Sequence, residues 1–268
     1  MTWEIAAHVL SDVGCVRDLN EDRGRVVQPA DDAERARRGV LAIVADGMGG
    51  HSAGEVASEL AIAAVHRAYY ESEGEPMEAL AAALATANRE IFAAASAEKK
   101  LEGMGTTCVA LAVCNDHAHA ASVGDSRIYL LRGGGIYQMT ADDSAVGAMV
   151  AQGLLTREEA RHHTDRNVIL RALGTHADVQ VSRWEQPLPL KAGDAFLLCS
   201  DGLTDLVQDE EIVGEIGDRP GADACKALIA LARSRGGHDN ITVALLRVGD
   251  PAADREPAPA TREVRVVR

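Results

Sequence analysis

The chain has 268 residues, 47% of them hydrophobic, and a formal net charge of −14. That length suits one large domain or two small ones with a sizeable core, and no window approaches the roughly 18 uninterrupted apolar residues of a membrane span. Lys and Arg form no patch beyond the short ERARR at 34–38. A nucleic-acid binder needs basic residues to neutralise phosphates, so that role is disfavoured.

The N-terminal MTWEIAAHVLSDVG has no basic region and no long apolar run, so no signal peptide is expected. VLAIVAD (40–46) is a continuous apolar run of strand length. Residues 53–70 predict a helix with Val56, Leu60 and Ala63 on one face. Residues 76–98 predict an amphipathic helix carrying Met77, Leu80, Leu84, Ala87 and Ile91. Strand signals follow at 106–114, 118–125, 127–132 and 135–140, spaced like hairpins. Residues 144–163 read as helical in pieces, with a capping-box signature from Thr156 to Glu159. Strands are expected at 178–185, 194–201 and 240–248, with helical pieces over 208–235.

This order is not a βαβα alternation. It favours an α+β fold of antiparallel sheets covered by helices on both sides. One domain is expected over 1–248. The Pro-, Ala- and charge-rich 249–268 reads as a disordered tail or short linker. The five cysteines, Cys15, Cys108, Cys114, Cys199 and Cys225, form no C-x-x-C and lie mostly in apolar runs. Buried, reduced thiols in a cytoplasmic protein are expected.

Asp46 stands at the tip of its apolar run, followed by a glycine cluster. A single Asp-Gly is ordinary turn chemistry. Here the pattern recurs at Asp125 and Asp201, and Asp239 stands just before a strand. If these carboxylates converge, they repel one another and raise one another's pKa. No Lys lies near any of them, so a divalent cation is the economical partner. All-oxygen ligands suit Mg²⁺ or Mn²⁺ better than Zn²⁺. Gly47 allows a sharp turn that lets a carbonyl face such an ion. GMGGHSAG is a poor dinucleotide-binding turn, because the third glycine is missing and Asp46 would face the pyrophosphate. Upstream, Arg17 precedes Glu21 and Asp22. The bland reading is a solvated loop; the alternative is a guanidinium for phosphate beside acids for a metal or its waters.

SDVGCVRDLNED, VADGMGGHSAGEVAS, GMGTTCVAL, ASVGDSRIYLLR, NVILRALG, LLCSDGLTDLV and GGHDNITV occur in that order over about residues 8–247. Together they resemble the bacterial form of the metal-dependent Ser/Thr protein phosphatases, the PPM or type-2C family. The resemblance implies an αββα sandwich, two antiparallel sheets flanked by helix pairs with a metal cleft at one end. It implies two Mg²⁺ or Mn²⁺ ions, with a third weaker site. Asp46 would bridge two ions and the Gly47 carbonyl would bind one. Asp201 and Asp239 would bind the other, and Asp125, with Asp201, would form the third site. Asp205 matches a third-metal ligand of animal and plant members. Glu21 and Asp22 would act through metal-bound water, and Arg17 would hold the substrate phosphate. The implied reaction is hydrolysis of phospho-Ser and phospho-Thr by a metal-bridging hydroxide. The implied partners are a Ser/Thr kinase and its substrates, with no nucleic acid and no membrane; a monomer is expected.

Three departures stand out. Met48 replaces the animal-type His after Asp-Gly; His51, three residues on, reads as a loop His at the helix start, with help to the leaving group as the other reading. Asp143 stands where the family has His before Ser144. It precedes the variable flap, roughly 145–166. Arg171 falls near the layer supporting the cleft. His162 and His163 are expected to be exposed at a helix end, and Trp3 and Trp184 to serve packing. Two other readings stay open: a catalytically dead sensor that keeps the fold, and a hydrolase of small phosphoesters. Retention of Asp46, Asp201 and Asp239 argues against the first.

Overall fold

The computed structural model describes residues 3–49 and 53–249. His51 and nearly all of the expected tail lie outside the described residues. The first stretch contains β1 (Ile5–Asp12), β2 (Asp22–Val27), α1 (Asp32–Arg38) and β3 (Val40–Met48). The long helices α2 (Ala53–Glu71) and α3 (Pro76–Ala97) follow. A run of strands comes next: β4 (Gly105–Thr106), β5 (Cys108–Cys114), β6 (His117–Val123), β7 (Arg127–Arg132) and β8 (Gly135–Gln138). Short helices α4 (Ala145–Ala151) and α5 (Arg157–Arg161) lie within the segment expected to be the flap. The chain continues through β9 (Ser182–Arg183), β10 (Leu188–Pro189), β11 (Ala195–Cys199), α6 (Asp201–Thr204), α7 (Asp209–Ile216), α8 (Gly221–Ser234) and β12 (Ile241–Val248).

The strands make two sheets. One has the order β1-β12-β11-β7-β8. The other runs β10-β6-β5-β3-β2, with β4 added to β3 and β9 to β6. The pairings within both are antiparallel. Side chains alternate between the faces of a strand, and both faces here are buried. On β3, Leu41, Ile43 and Ala45 pack against α2 and α3, while Val40, Ala42 and Val44 face the other sheet. On β12, Val243 and Leu245 pack against α7 and α8, while Ala244 and Leu246 face inward. Continuous apolar runs therefore replace polar alternation, and the αββα layering follows from three stacked cores.

The structure corrects several sequence expectations. The buried face of α2 includes Ala57, Ala61, Ile62, Ala64, Val65 and Tyr69; Val56 and Leu60 are partly buried against the same core and Ala63 is exposed. Alanine contributes little to an apolar-periodicity signal, yet its small side chain lets helix and sheet approach closely. α3 buries Met77, Leu80, Leu84, Ala87 and Ile91 as expected. The strand expected over 178–185 is reduced to Ser182–Arg183. The capping box of Thr156 and Glu159 is present. His162 is exposed, whereas His163 is partly covered and its Nδ1 accepts from the Asp165 amide at 3.1 Å. Trp184 is half-buried and donates to the Met139 carbonyl at 2.8 Å. Cys15 is exposed, against expectation; Cys108, Cys114, Cys199 and Cys225 are buried.

Candidate metal centre

The five aspartates singled out by sequence come to one end of the sandwich from both sheets. Asp22 opens β2 and sits opposite Asp46 in the antiparallel ladder with β3. Asp201 begins α6 directly after β11, and Asp239 lies two residues before β12. Asp125 lies in the turn joining β6 of one sheet to β7 of the other.

Each position is held by its local backbone. The Asp46 carbonyl accepts from the Thr107 amide and the Thr106 hydroxyl, both at 2.8 Å. Its own amide donates to Thr107 Oγ1 at 3.1 Å. Ser200 Oγ donates to Asp22 Oδ2 at 2.7 Å and accepts from the Thr242 amide at 3.0 Å. Asn240 fastens the upstream loop: its Nδ2 reaches the Val13 and Leu19 carbonyls at 3.0 and 2.9 Å, and its Oδ1 takes the Glu21 amide at 2.8 Å. Ser200, Thr107 and Asn240 were missed by sequence reasoning; the only available signal was their adjacency to the strand-tip aspartates and threonines.

Gly47 is dictated by space. A Cβ there would lie 2.1 Å from the Gly54 carbonyl oxygen and 2.6 Å from that of Glu21. Neither can yield, because both are backbone.

The carboxylates crowd one another. Burial pushes Asp22 up to about 7, aided by the charges of Asp201 and Asp239. Burial likewise raises Asp125 to about 8 and Asp201 to about 6. Asp46 is raised well above the usual carboxylate range, first by its depth in the cleft and then by Asp22, Asp201 and Asp125. Arg17 is the basic group at the rim. Its Nη2 lies 2.7 Å from Asp239 Oδ2, and that bond raises its pKa. It is about half exposed, so it does little for the deeper carboxylates.

Glu21 departs from expectation. Burial raises its pKa, opposed by the backbone amides of Gly54 and Glu55. Its carboxylate therefore faces the start of α2 rather than the aspartates. Asp22 opens β2 and enters the cleft, whereas Glu21, just before the strand, lies beside Gly54. Asp205 follows Asp201 by one helical turn, with His238 Nε2 at 3.4 Å from its Oδ2. Met48 offers a thioether, which carries no proton to donate.

Among the described residues, no three acidic, His or Cys side chains stand ready as an ion cage. Asp46 and Asp201 lie close enough to shift each other's pKa. The donor set still fits a hard divalent cation. It is all oxygen, it is short of positive charge, and Asp125 Oδ1 is buried with no hydrogen-bond partner. Beside Asp125 and Asp201 a cavity of about 810 Å³ runs beneath the flap, lined also by Thr140, Asp143, Val146 and Arg171.

An αββα sandwich with strand-tip carboxylates gathered at one end is the architecture of a metal-cleft phosphatase. The model of the Protein phosphatase 2C family matches residues 20–240, and the chain belongs to that family. It is 43% identical over 230 residues to the Mycobacterium tuberculosis Serine/threonine protein phosphatase PstP, covering 85% of this chain and 44% of that protein. The chain thus spans less than half the length of that relative. It is 38% identical over 246 residues to the Listeria monocytogenes Serine/threonine phosphatase stp, covering 90% of this chain and 94% of that one. A crystal structure of the PstP catalytic domain in complex with two manganese ions superposes with a TM-score of 0.78 at 39% identity, covering 93% of this chain and 100% of that one. No helix among the described residues is long and apolar enough to cross a membrane.

Proposed function

We propose that this chain is a Mg²⁺- or Mn²⁺-dependent phosphatase of phosphoserine and phosphothreonine proteins. The observation that carries the reading is the convergence of Asp22, Asp46, Asp125, Asp201 and Asp239 with no Lys among them and one Arg at the rim. The names of the relatives support the reaction, and the two manganese ions of the PstP structure support the cofactor.

In this reading Asp46, the Gly47 carbonyl, Asp201 and Asp239 hold two cations. Asp125 with Asp201 offers a third, weaker site, and Asp22 acts through a water. When bound, the cations lower the pKa of a water and clamp the phosphoryl oxygens for in-line attack. Arg17 exchanges part of its bond with Asp239 for the substrate phosphate, which a guanidinium binds through two oxygens at once. Glu21 steadies the close approach of Gly47 to Gly54. Residue 48 supplies no proton to the leaving alkoxide, since Met has none to give. The natural substrates are the phosphoproteins of a bacterial Ser/Thr kinase, and the kinase itself, in the cytoplasm, with the phosphatase acting as a monomer.

The test is hydrolysis of a phosphothreonine peptide and of p-nitrophenyl phosphate with Mn²⁺, with Mg²⁺ and with EDTA. Metal-dependent turnover of the peptide that vanishes in Asp46→Ala is expected. Turnover of the small ester alone points to a small-phosphoester hydrolase. No turnover with any metal, in a folded protein, overturns the enzymatic reading.

A further inference from the structure

Asp143 sits at a junction that the proposed chemistry does not use. Its side chain is almost wholly buried. Oδ2 accepts from the Gly124 amide at 3.1 Å, and Oδ1 accepts from Arg171 Nη2. Its backbone joins the same parts: its amide donates to the Gly124 carbonyl at 2.9 Å, and its carbonyl accepts from the Leu170 amide at 2.7 Å. One residue therefore holds three pieces of chain. These are the turn carrying Asp125, the segment entering the flap, and the segment leaving it.

That turn has little freedom on its other side. Gly124 has φ +101°, and a Cβ there would meet Thr107 Cβ at 2.6 Å. Thr107 Oγ1 lies 2.7 Å from Ser126 Oγ and also accepts from the Asp46 amide. The turn is thus pinned between Thr107, which fixes Asp46, and Asp143, which fixes the flap. The neck of the flap is itself narrow. Ser144 bridges Ile169, and the Ala145 amide donates to the Val168 carbonyl at 2.8 Å. The Asp143 carboxylate can form an ion pair with Arg171. A neutral imidazole cannot.

We propose that Asp143 is a positioning residue that ties the flap to the Asp125 turn, so that flap attachment and the cation affinity of Asp125 change together. The inference rests on the reading of Asp125 as a cation ligand. It goes beyond that reading by naming the side chain, Asp143, that makes the tie through Gly124 and Arg171. Asp143 itself touches neither cation nor phosphate in this scheme. It acts through the Gly124 amide and the Arg171 guanidinium.

The test is calorimetric titration of the chelated full chain with MnCl₂, with no substrate present. The variants are D143N, D143H, D125N and the double variant D125N/D143N. Hydrogen exchange is followed over 124–126 and 144–170. D143N and D143H are expected to weaken the site that D125N removes by at least about tenfold, the scale of losing a group that orients a metal ligand. The tighter sites are expected to hold, the double variant to match D125N, and exchange to accelerate in both segments together. R171K serves if D143N fails to fold. It keeps the bond to Gly124 and is expected to produce a smaller change in the same direction.

A wild-type isotherm in D143N or R171K overturns the proposal. So does equal weakening of every site with a fall in Tm, which marks a purely structural role, and so does a wild-type protein with no Mn²⁺ site sensitive to D125N. Absence of phosphatase turnover sinks the proposed function and leaves this titration readable, since it contains no substrate.

Discussion

Asp22 and Asp46 stand directly opposite each other across the β2–β3 ladder. Like charges at opposed positions destabilise a sheet, and both carboxyls are driven upward in pKa by burial and by their acidic neighbours. Asp46→Asn is expected to abolish metal-dependent turnover. It is also expected to raise the Tm of the metal-free protein at pH 8, because one of two repelling charges is gone. Thermal melts in EDTA beside activity assays check both, and normal turnover in the variant would falsify the site assignment.

The same crowding sets a pH dependence. A carboxyl whose folded-state pKa is raised favours folding most when protonated. Its contribution is complete below the unfolded value near 4 and is lost as pH climbs through the folded value. With Asp201 at about 6, Asp22 at about 7 and Asp125 at about 8, the loss spans pH 4 to 8. Metal-free protein should therefore melt progressively lower across that window, and Mn²⁺ should raise the Tm more at pH 8 than at pH 5. A flat metal-free profile contradicts this picture.

Arg17 and Asp239 meet at 2.7 Å but lie toward solvent. Exposed pairs contribute about 0–1 kcal/mol, so Arg17→Ala should leave the Tm nearly unchanged. Its effect should appear as a raised KM with kcat largely kept, because its proposed job is to bind phosphate. A large fall in kcat at constant KM goes against that job.

Gly47→Ala forces a methyl to within 2.1 Å of a backbone carbonyl oxygen. Such overpacking costs about 1–3 kcal/mol, and β3 must shift exactly where it carries Asp46. Loss of both stability and turnover is expected; a variant with wild-type melting and rate shows that the loop yields more easily than its geometry implies.

Asn240→Ala removes one side chain that satisfies two carbonyls and one amide of the 13–21 loop. These partners are only partly buried, so the loss should fall toward the lower end of the roughly 1–3 kcal/mol that an unmet buried partner costs. Faster hydrogen exchange over residues 13–21 should accompany the loss. Unchanged exchange there means the loop is held by other contacts.

Much of this was legible in sequence, and the rest failed for identifiable reasons. The β3 run was readable because burial on both faces leaves seven apolar or strand-tip residues in a row. The site aspartates were readable because they sit where such runs end. β1 and β2 were not foreseen as strands. Each is a sheet edge, only partly buried and interrupted by polar residues such as His8, Arg23 and Arg25. The α2 face was only partly foreseen: Val56 and Leu60 pack at its border, Ala63 is exposed, and alanines such as Ala57, Ala61 and Ala64 line its centre beside Val65 and Tyr69. Glu21 and Asp22 look equivalent in sequence, and only the direction of each side chain separates them. The partnership of Asp143 with Arg171 spans the whole flap, and no local pattern announces it.

The candidate ligands are drawn from both layers of the sandwich: Asp22 and Asp46 from one sheet, Asp201 and Asp239 from the other. An ion held among them acts as a rivet through the open end of a book whose pages are otherwise joined by apolar packing and a few polar bonds such as Ser200 to Asp22. Removing it does more than stop chemistry. It frees the two covers to part at that edge, so the first place a protease or denaturant gains entry should be the cleft itself.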